Sequence, residues 1–177
     1  MGTGKLDDLV VVALGSNMAG GYDASEELLE AALARFPKAQ LPVLGRSGWW
    51  RSAAWPDPKA PEYRNGVALV EATMPPNAIL EALFSIERSF HRTRLARNAP
   101  RTLDLDLIAY GRQVIDEPGL TVPHPRAHER LFVMGPLAEI APGWVHPVLR
   151  RTAADLAADA SVGADARPVS SAAGDGC

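Results

Sequence analysis

Two aspartates two residues apart, Asp104 and Asp106, stand in the run Arg97-Asn98-Ala99-Pro100-Arg101-Thr102-Leu103-Asp104-Leu105-Asp106-Leu107-Ile108. Side chains alternate along an extended strand that rises about 3.3 Å per residue. The two carboxylates therefore share one face, with Cα atoms about 6.6 Å apart, while Leu103, Leu105 and Leu107 turn to a core. Converging carboxylates are hard oxygen ligands, and Mg²⁺ commonly takes one or two of them and completes its shell with substrate phosphates. The same spacing also describes the wet face of an amphipathic strand, although aspartate is depleted in strands. Just ahead lie Arg88, Arg92, Arg94, Arg97 and Arg101, within fourteen residues that hold no Asp or Glu. Guanidinium forks suit phosphate oxygens, and phosphoryl transfer rests on positioning and on neutralising charge. A charge run can be merely a solvated face, but a basic loop leading into an acidic strand points to magnesium–ATP chemistry.

Such a pair needs a scaffold, and the hydrophobic periodicity supplies one. The apolar run 9–14 predicts a buried strand. Residues 23–36 predict a helix capped by Asp23, with Leu28, Leu29, Ala32 and Leu33 inward and Pro37 ending it. Strands are expected over 41–51 and 66–72, flanking a Pro-rich loop, then a helix over 77–91 and a strand over 102–110. The order β-α-β-β-α-β is that of a ferredoxin-like α+β fold, an antiparallel sheet with helices on one face. Gly111-Arg112 is expected to turn the last strand into a short partner near 113–115. A proline loop around 120–125, a short helix, an apolar stretch and a helix near 153–158 follow. Beyond about Asp159 the Ala/Gly/Ser/Asp-rich composition predicts a mobile tail, which makes 1–158 a single domain and 159–177 an appendage.

Composition narrows the function further. A chain of 177 residues that is 47% hydrophobic has the material for one ordinary core. Its formal net charge of −3 argues against sequence-independent nucleic-acid binding. The run 9–14 is too short to span a bilayer, and neither a secretory signal nor a membrane helix is expected, so a cytoplasmic protein is the expectation. The lone cysteine, Cys177, is the last residue, which leaves no internal disulfide framework. Gly15-Ser16-Asn17-Met18-Ala19-Gly20-Gly21 follows a strand as a phosphate loop would, but Gly21-Tyr22 stands where Lys-Ser/Thr is required. It reads as a structural turn.

The basic-x-small-Pro-Arg-x-x-Asp-Leu-Asp-Leu-Ile run resembles the signature of the 6-hydroxymethyl-7,8-dihydropterin pyrophosphokinase family. Leu14-Gly15-Ser16-Asn17, Tyr63-Arg64-Asn65, Val122-Pro123-His124-Pro125-Arg126, and His128-Glu129-Arg130 through Pro142 resemble it in the same order. The likeness covers about residues 8–158. It implies transfer of the β,γ-diphosphate of ATP to the hydroxymethyl group of a reduced pterin, releasing AMP, by a monomer whose partners are ATP and 6-hydroxymethyl-7,8-dihydropterin. Asp104 and Asp106 would hold two Mg²⁺ ions with ATP. Arg92 and Arg94 would clamp phosphates, with Arg92 and Arg101 counted with the catalytic set. Arg94, Arg101, His124, Arg130, Glu87 and Leu80 match nucleotide positions. Tyr63 and Phe132 match ring-stacking positions, Asn65 one that reads the pterin edge, and Ser52, Ala53 and Trp55 a loop wall.

The chain departs from the family pattern where Asn98 replaces a frequent tryptophan, and at Ala53-Ala54 and Phe84. For the residues alone, Phe132 beside Leu131 and Val133 could equally be core. Tyr63 and Asn65 could equally be a turn before a strand. Two other classes share the element order. An RNA-recognition module would display aromatics on its central strands, where this chain presents aspartates. A non-catalytic nucleotide- or pterin-binding relative would have no need of the aspartate pair.

Overall fold

The computed structural model describes residues 6–17, 21–54, 57, 59–91 and 103–169. Strand β1 (Val10–Ser16) lies at the centre, paired antiparallel on one side with β4 (Tyr63–Val70) and on the other with β5 (Asp104–Tyr110). Strands β2 (Val43–Arg46) and β3 (Trp50–Ser52) follow one another along the far edge of β4. Helices α1 (Ser25–Leu33) and α2 (Pro76–His91) cover one face of this sheet, as the ferredoxin-like order predicts. Leu28, Leu29, Ile79 and Leu83 meet Val10, Val12, Leu105 and Leu107 there.

The other face is covered too, against the expectation of helices on one side only. The apolar stretch after the proline loop forms helix α3 (Leu131–Ile140), which tolerates Pro136, and α4 (Ala153–Asp159) packs on it. Val133, Met134, Leu137 and Leu156 bury Val11, Val67, Leu69 and Ala109. Burial from both sides explains why β1 is a continuous Val-rich run rather than an alternating one.

Several local expectations shift. Helix α1 begins at Ser25 with Ala24 as an unbonded cap, and Asp23 instead donates its N–H to Glu27 Oε2. The 41–51 strand is broken at residues 47–49, where Ser47 exchanges backbone and hydroxyl bonds with Val67. Trp49 and Trp50 then diverge to opposite faces. A Cβ on Gly66 would lie 2.5 Å from the Trp49 ring, and one on Gly135 would lie 2.6 Å from the Trp50 ring. Strand β6 (Ile115–Glu117) pairs not with β5 but with β7 (Leu120–Val122).

The largest correction concerns the C-terminus. Where a mobile tail is expected from about Asp159, residues 160–169 return to the sheet, and β8 (Arg167–Pro168) adds to the edge of β3. The order becomes β5-β1-β4-β3-β8. The remainder, 170–177 with Cys177, lies outside the described residues.

The loop between α3 and α4 buries His146, whose Nδ1 accepts the N–H groups of Val148 and Leu149, both at 3.1 Å. A protonated ring has no lone pair to offer them. Burial, with His128 adding to it, lowers its pKa from 6.5 to about 4. Between those values the unfolded chain binds a proton that the folded chain refuses, so stability falls as the pH drops from about 6.5 to about 4. Urea unfolding across that range should show a loss of up to about 1.4 kcal/mol per pH unit. His146→Asn, which keeps an acceptor but does not titrate, should flatten the slope, and an unchanged slope would reject the assignment.

Candidate active site

The second face of the sheet is incompletely roofed. Helix α3 covers the end carrying Val11, Leu69 and Ala109, and at the opposite end a cavity of about 1050 Å³ opens. Its floor is set by strand register. Asp106 lies opposite Ala13 on β1, and Asp104 lies opposite Gly15, which in turn lies opposite Asn65 on β4. The row Asp104–Gly15–Asn65 thus crosses three strands, and two strand spacings separate its ends by about 10 Å. The small middle residue matters, since a Cβ on Gly15 would press to 3.2 Å from Asn65 Oδ1.

Both aspartates line this cavity, Asp106 exposed and Asp104 half-buried. Leu103, Leu105 and Leu107 point to the opposite, buried face, as the alternation predicts. Alternation stops at Ile108: β5 slips by one residue against Val11 and Val12, and both Ile108 and Ala109 join the second core. The Ile108 carbonyl accepts the N–H of His124 at 2.8 Å, which ties the proline loop to the acidic strand. Glu87, on α2, accepts the N–H of Leu105 through Oε1 at 2.7 Å and holds the backbone between the two aspartates.

His124 follows the cis Val122–Pro123 bond. Burial pulls its pKa below 6.5; Asp106 works against that and Arg130 and Arg126 work with it. The ring is therefore neutral at pH 7, and its Nδ1 accepts the N–H of Arg126 at 3.2 Å. Arg130 caps α3 and lines the cavity, with its guanidinium 5.8 Å from the Phe132 ring centroid.

At the far end of the floor, Asn65 and Ser52 are both buried, and the Asn65 amide donates to Ser52 Oγ at 3.0 Å. Tyr63, Ala53 and Phe132 complete that end. Of the residues singled out in the sequence, Asp104, Asp106, Arg130, Ser52, Ala53, Tyr63, Asn65 and Phe132 converge on one cavity. His124 and Glu87 brace the acidic strand instead of lining it. Leu80 packs against the first core, away from the lining. Arg92, Arg94, Arg97, Arg101, Asn98 and Trp55 lie outside the described residues. The sequence marked Gly15 as part of a turn, whereas it lies within β1 and its smallness opens the floor; it did not point to Ala13 or to residues 161–165, which form a wall.

Chemically, the lining offers two carboxylates as hard ligands on β5, the buried Asn65 amide with Ser52 two strands away, and an arginine and two aromatic rings in the same cavity. Among the described residues no group of three or more His, Cys, Asp or Glu gathers as an all-protein cage. Two carboxylates facing an open cavity would suit a hard cation that completes its shell with other oxygens. Among the described residues no helix is long and apolar enough to cross a membrane.

The model of the family described as 7,8-dihydro-6-hydroxymethylpterin-pyrophosphokinase matches residues 11–142. A Synechocystis protein named 2-amino-4-hydroxy-6-hydroxymethyldihydropteridine pyrophosphokinase is 42% identical over 147 residues, covering 82% of this chain and 73% of that one. A Pseudomonas aeruginosa protein of the same name is 39% identical over 133 residues, covering 75% and 80%. In three dimensions the chain is similar to the crystal structure of wild-type Plasmodium falciparum HPPK-DHPS, with a TM-score of 0.67 at 13% identity. That likeness, over 85% of this chain and 44% of the other, concerns the fold.

Proposed function

The chain belongs to the 7,8-dihydro-6-hydroxymethylpterin-pyrophosphokinase family, and from that premise we propose that its cavity transfers diphosphate from ATP to the hydroxymethyl group of the pterin. AMP is the second product, and the reaction belongs to folate biosynthesis. The observation that carries this reading is the shared floor: Asp104 and Asn65 in one cross-strand row, with Gly15 between them.

Each end of the floor has its task. Asp104 and Asp106 would hold Mg²⁺, two ions with ATP, and when bound there the metal supplies Lewis-acid polarisation of the polyphosphate. Arg130 adds a positive charge to the same cavity, and the family resemblance assigns Arg101, within the signature run, and Arg92 and Arg94, ahead of it, to the phosphates. The Asn65 amide, oriented by Ser52, reads the polar edge of the heterocycle, and the rings of Tyr63 and Phe132 bound its flat faces. Holding the hydroxymethyl arm between these ends converts a meeting of two substrates into a reaction within one complex. Glu87 and His124 hold the strand that carries the carboxylates at fixed register. We read the working unit as a monomer in the cytoplasm.

Incubation with MgATP and 6-hydroxymethyl-7,8-dihydropterin should release AMP and pterin diphosphate in equal amounts. AMP at the level of a pterin-free control would sink the proposal.

A further inference from the structure

Residues 161–165 run along the cavity from the tip of α3 to the loop after β3. They lie beyond the family match, which ends at residue 142. Both ends of the segment are fastened. At its start Val162 accepts the N–H of Leu131 and donates its own to Glu129, both at 2.9 Å. At its finish β8 pairs with β3, and Val169 donates to the Trp49 carbonyl at 2.8 Å. Between these points it touches two parts of the heterocycle end. Asp165 Oδ2 accepts the N–H of Ala53 at 2.7 Å. Gly163 sits at φ +65 with no room for a side chain, since a Cβ there would lie 2.5 Å from Phe132 Cδ1.

We propose that this C-terminal strap is a specificity element of the pterin end, in which Asp165 is a positioning residue that sets the Ala53 backbone and Gly163 sets the Phe132 ring. The assignment rests on the pterin reading of the cavity given above. The loop after β3 pairs with no strand at Ala53, and the Asp165 carboxylate is what holds its N–H. A carboxylate acceptor is a strong one, and Ala53, Phe132, Gly163 and Asp165 all line the same cavity. The side-chain bond the strap makes goes to Ala53 at the heterocycle end, so its effect is expected on the pterin rather than on the nucleotide.

The test is a fluorescence titration with 6-hydroxymethylpterin in the presence of Mg²⁺ and α,β-methylene-ATP, alongside steady-state AMP release. Asp165→Ala should weaken pterin binding and raise the pterin KM about tenfold, the loss of one good hydrogen bond. The nucleotide KM should stay within about twofold. Asp165→Asn, which keeps an acceptor for Ala53, should recover most of the loss, and Gly163→Ala should reproduce the defect by displacing the ring. Equal losses for both substrates, no loss in Asp165→Ala, or an asparagine variant as weak as the alanine one would each overturn the assignment. Wild-type protein that binds pterin but forms no AMP refutes the transfer reaction and leaves the strap tested by binding; wild-type protein that binds no pterin refutes both.

Discussion

Asp106→Ala should lower turnover by at least about a hundredfold and leave the fold standing, and Asp104→Ala should do the same to turnover. The size follows from the task. Charge that develops on a polyphosphate in transfer is stabilised by several kcal/mol through bound metal, and each carboxylate removed takes a ligand from it. Asp106 is exposed on the cavity side of β5, whereas the leucines on either side carry the burial. Its removal therefore takes little from stability, within about 0.5 kcal/mol for a surface site of this kind. Loss of AMP formation with an unchanged thermal midpoint would separate metal binding from folding. Near-normal rates in both variants would refute the metal roles of the pair.

Asn65→Ala should produce the next largest effect, confined to the other substrate. The amide is buried, and it donates to Ser52 Oγ across the β3–β4 pair. Truncation removes the group proposed to read the heterocycle, and a polar edge of the bound ring left without its partner costs about 1–3 kcal/mol. The expected fall in kcat/KM for the pterin is therefore about 5- to 150-fold. The nucleotide KM should move little, because Asp104 lies two strands away. A matching rise in both KM values would show that Asn65 serves the strand pairing and not the pterin. Asn65→Asp tests the same point from the other side: it preserves the shape and removes the donor to Ser52.

The local part of the fold was legible from periodicity. Residues 25–33 and 76–91 carry apolar positions at helical spacing, and Leu103, Leu105 and Leu107 carry the strand period, so each element declared its own buried side. Alternation failed where pairing partners decide, as at the β5 slip beside Ile108, which sends two consecutive residues to one core. It failed again at residues 47–49, where Ser47 bonds Val67 and interrupts what reads as one strand. Helix α3 looked like an unassigned apolar stretch because Pro136 and the all-round hydrophobicity hide its period.

The sequence by itself determined which groups are candidates for the chemistry. Two carboxylates on one strand face, a basic loop ahead of them and motifs at Tyr63–Asn65 and His124–Arg130 are properties of residue type and spacing, which a linear chain displays in full. Only the tertiary structure decided that the two carboxylates share one cavity with Tyr63, Asn65 and Arg130, that Gly15 leaves the space between Asp104 and Asn65, and that Glu87 and His124 brace the floor. It also turned residues 160–169 from an expected tail into a wall. That segment has no apolar residue larger than valine, and its place is fixed by backbone pairing with β3, by the Asp165 bond to Ala53 and by a glycine against the Phe132 ring. Backbone hydrogen bonds and the absence of a side chain leave almost no trace in composition, so long-range partners had to be seen before the segment had a role.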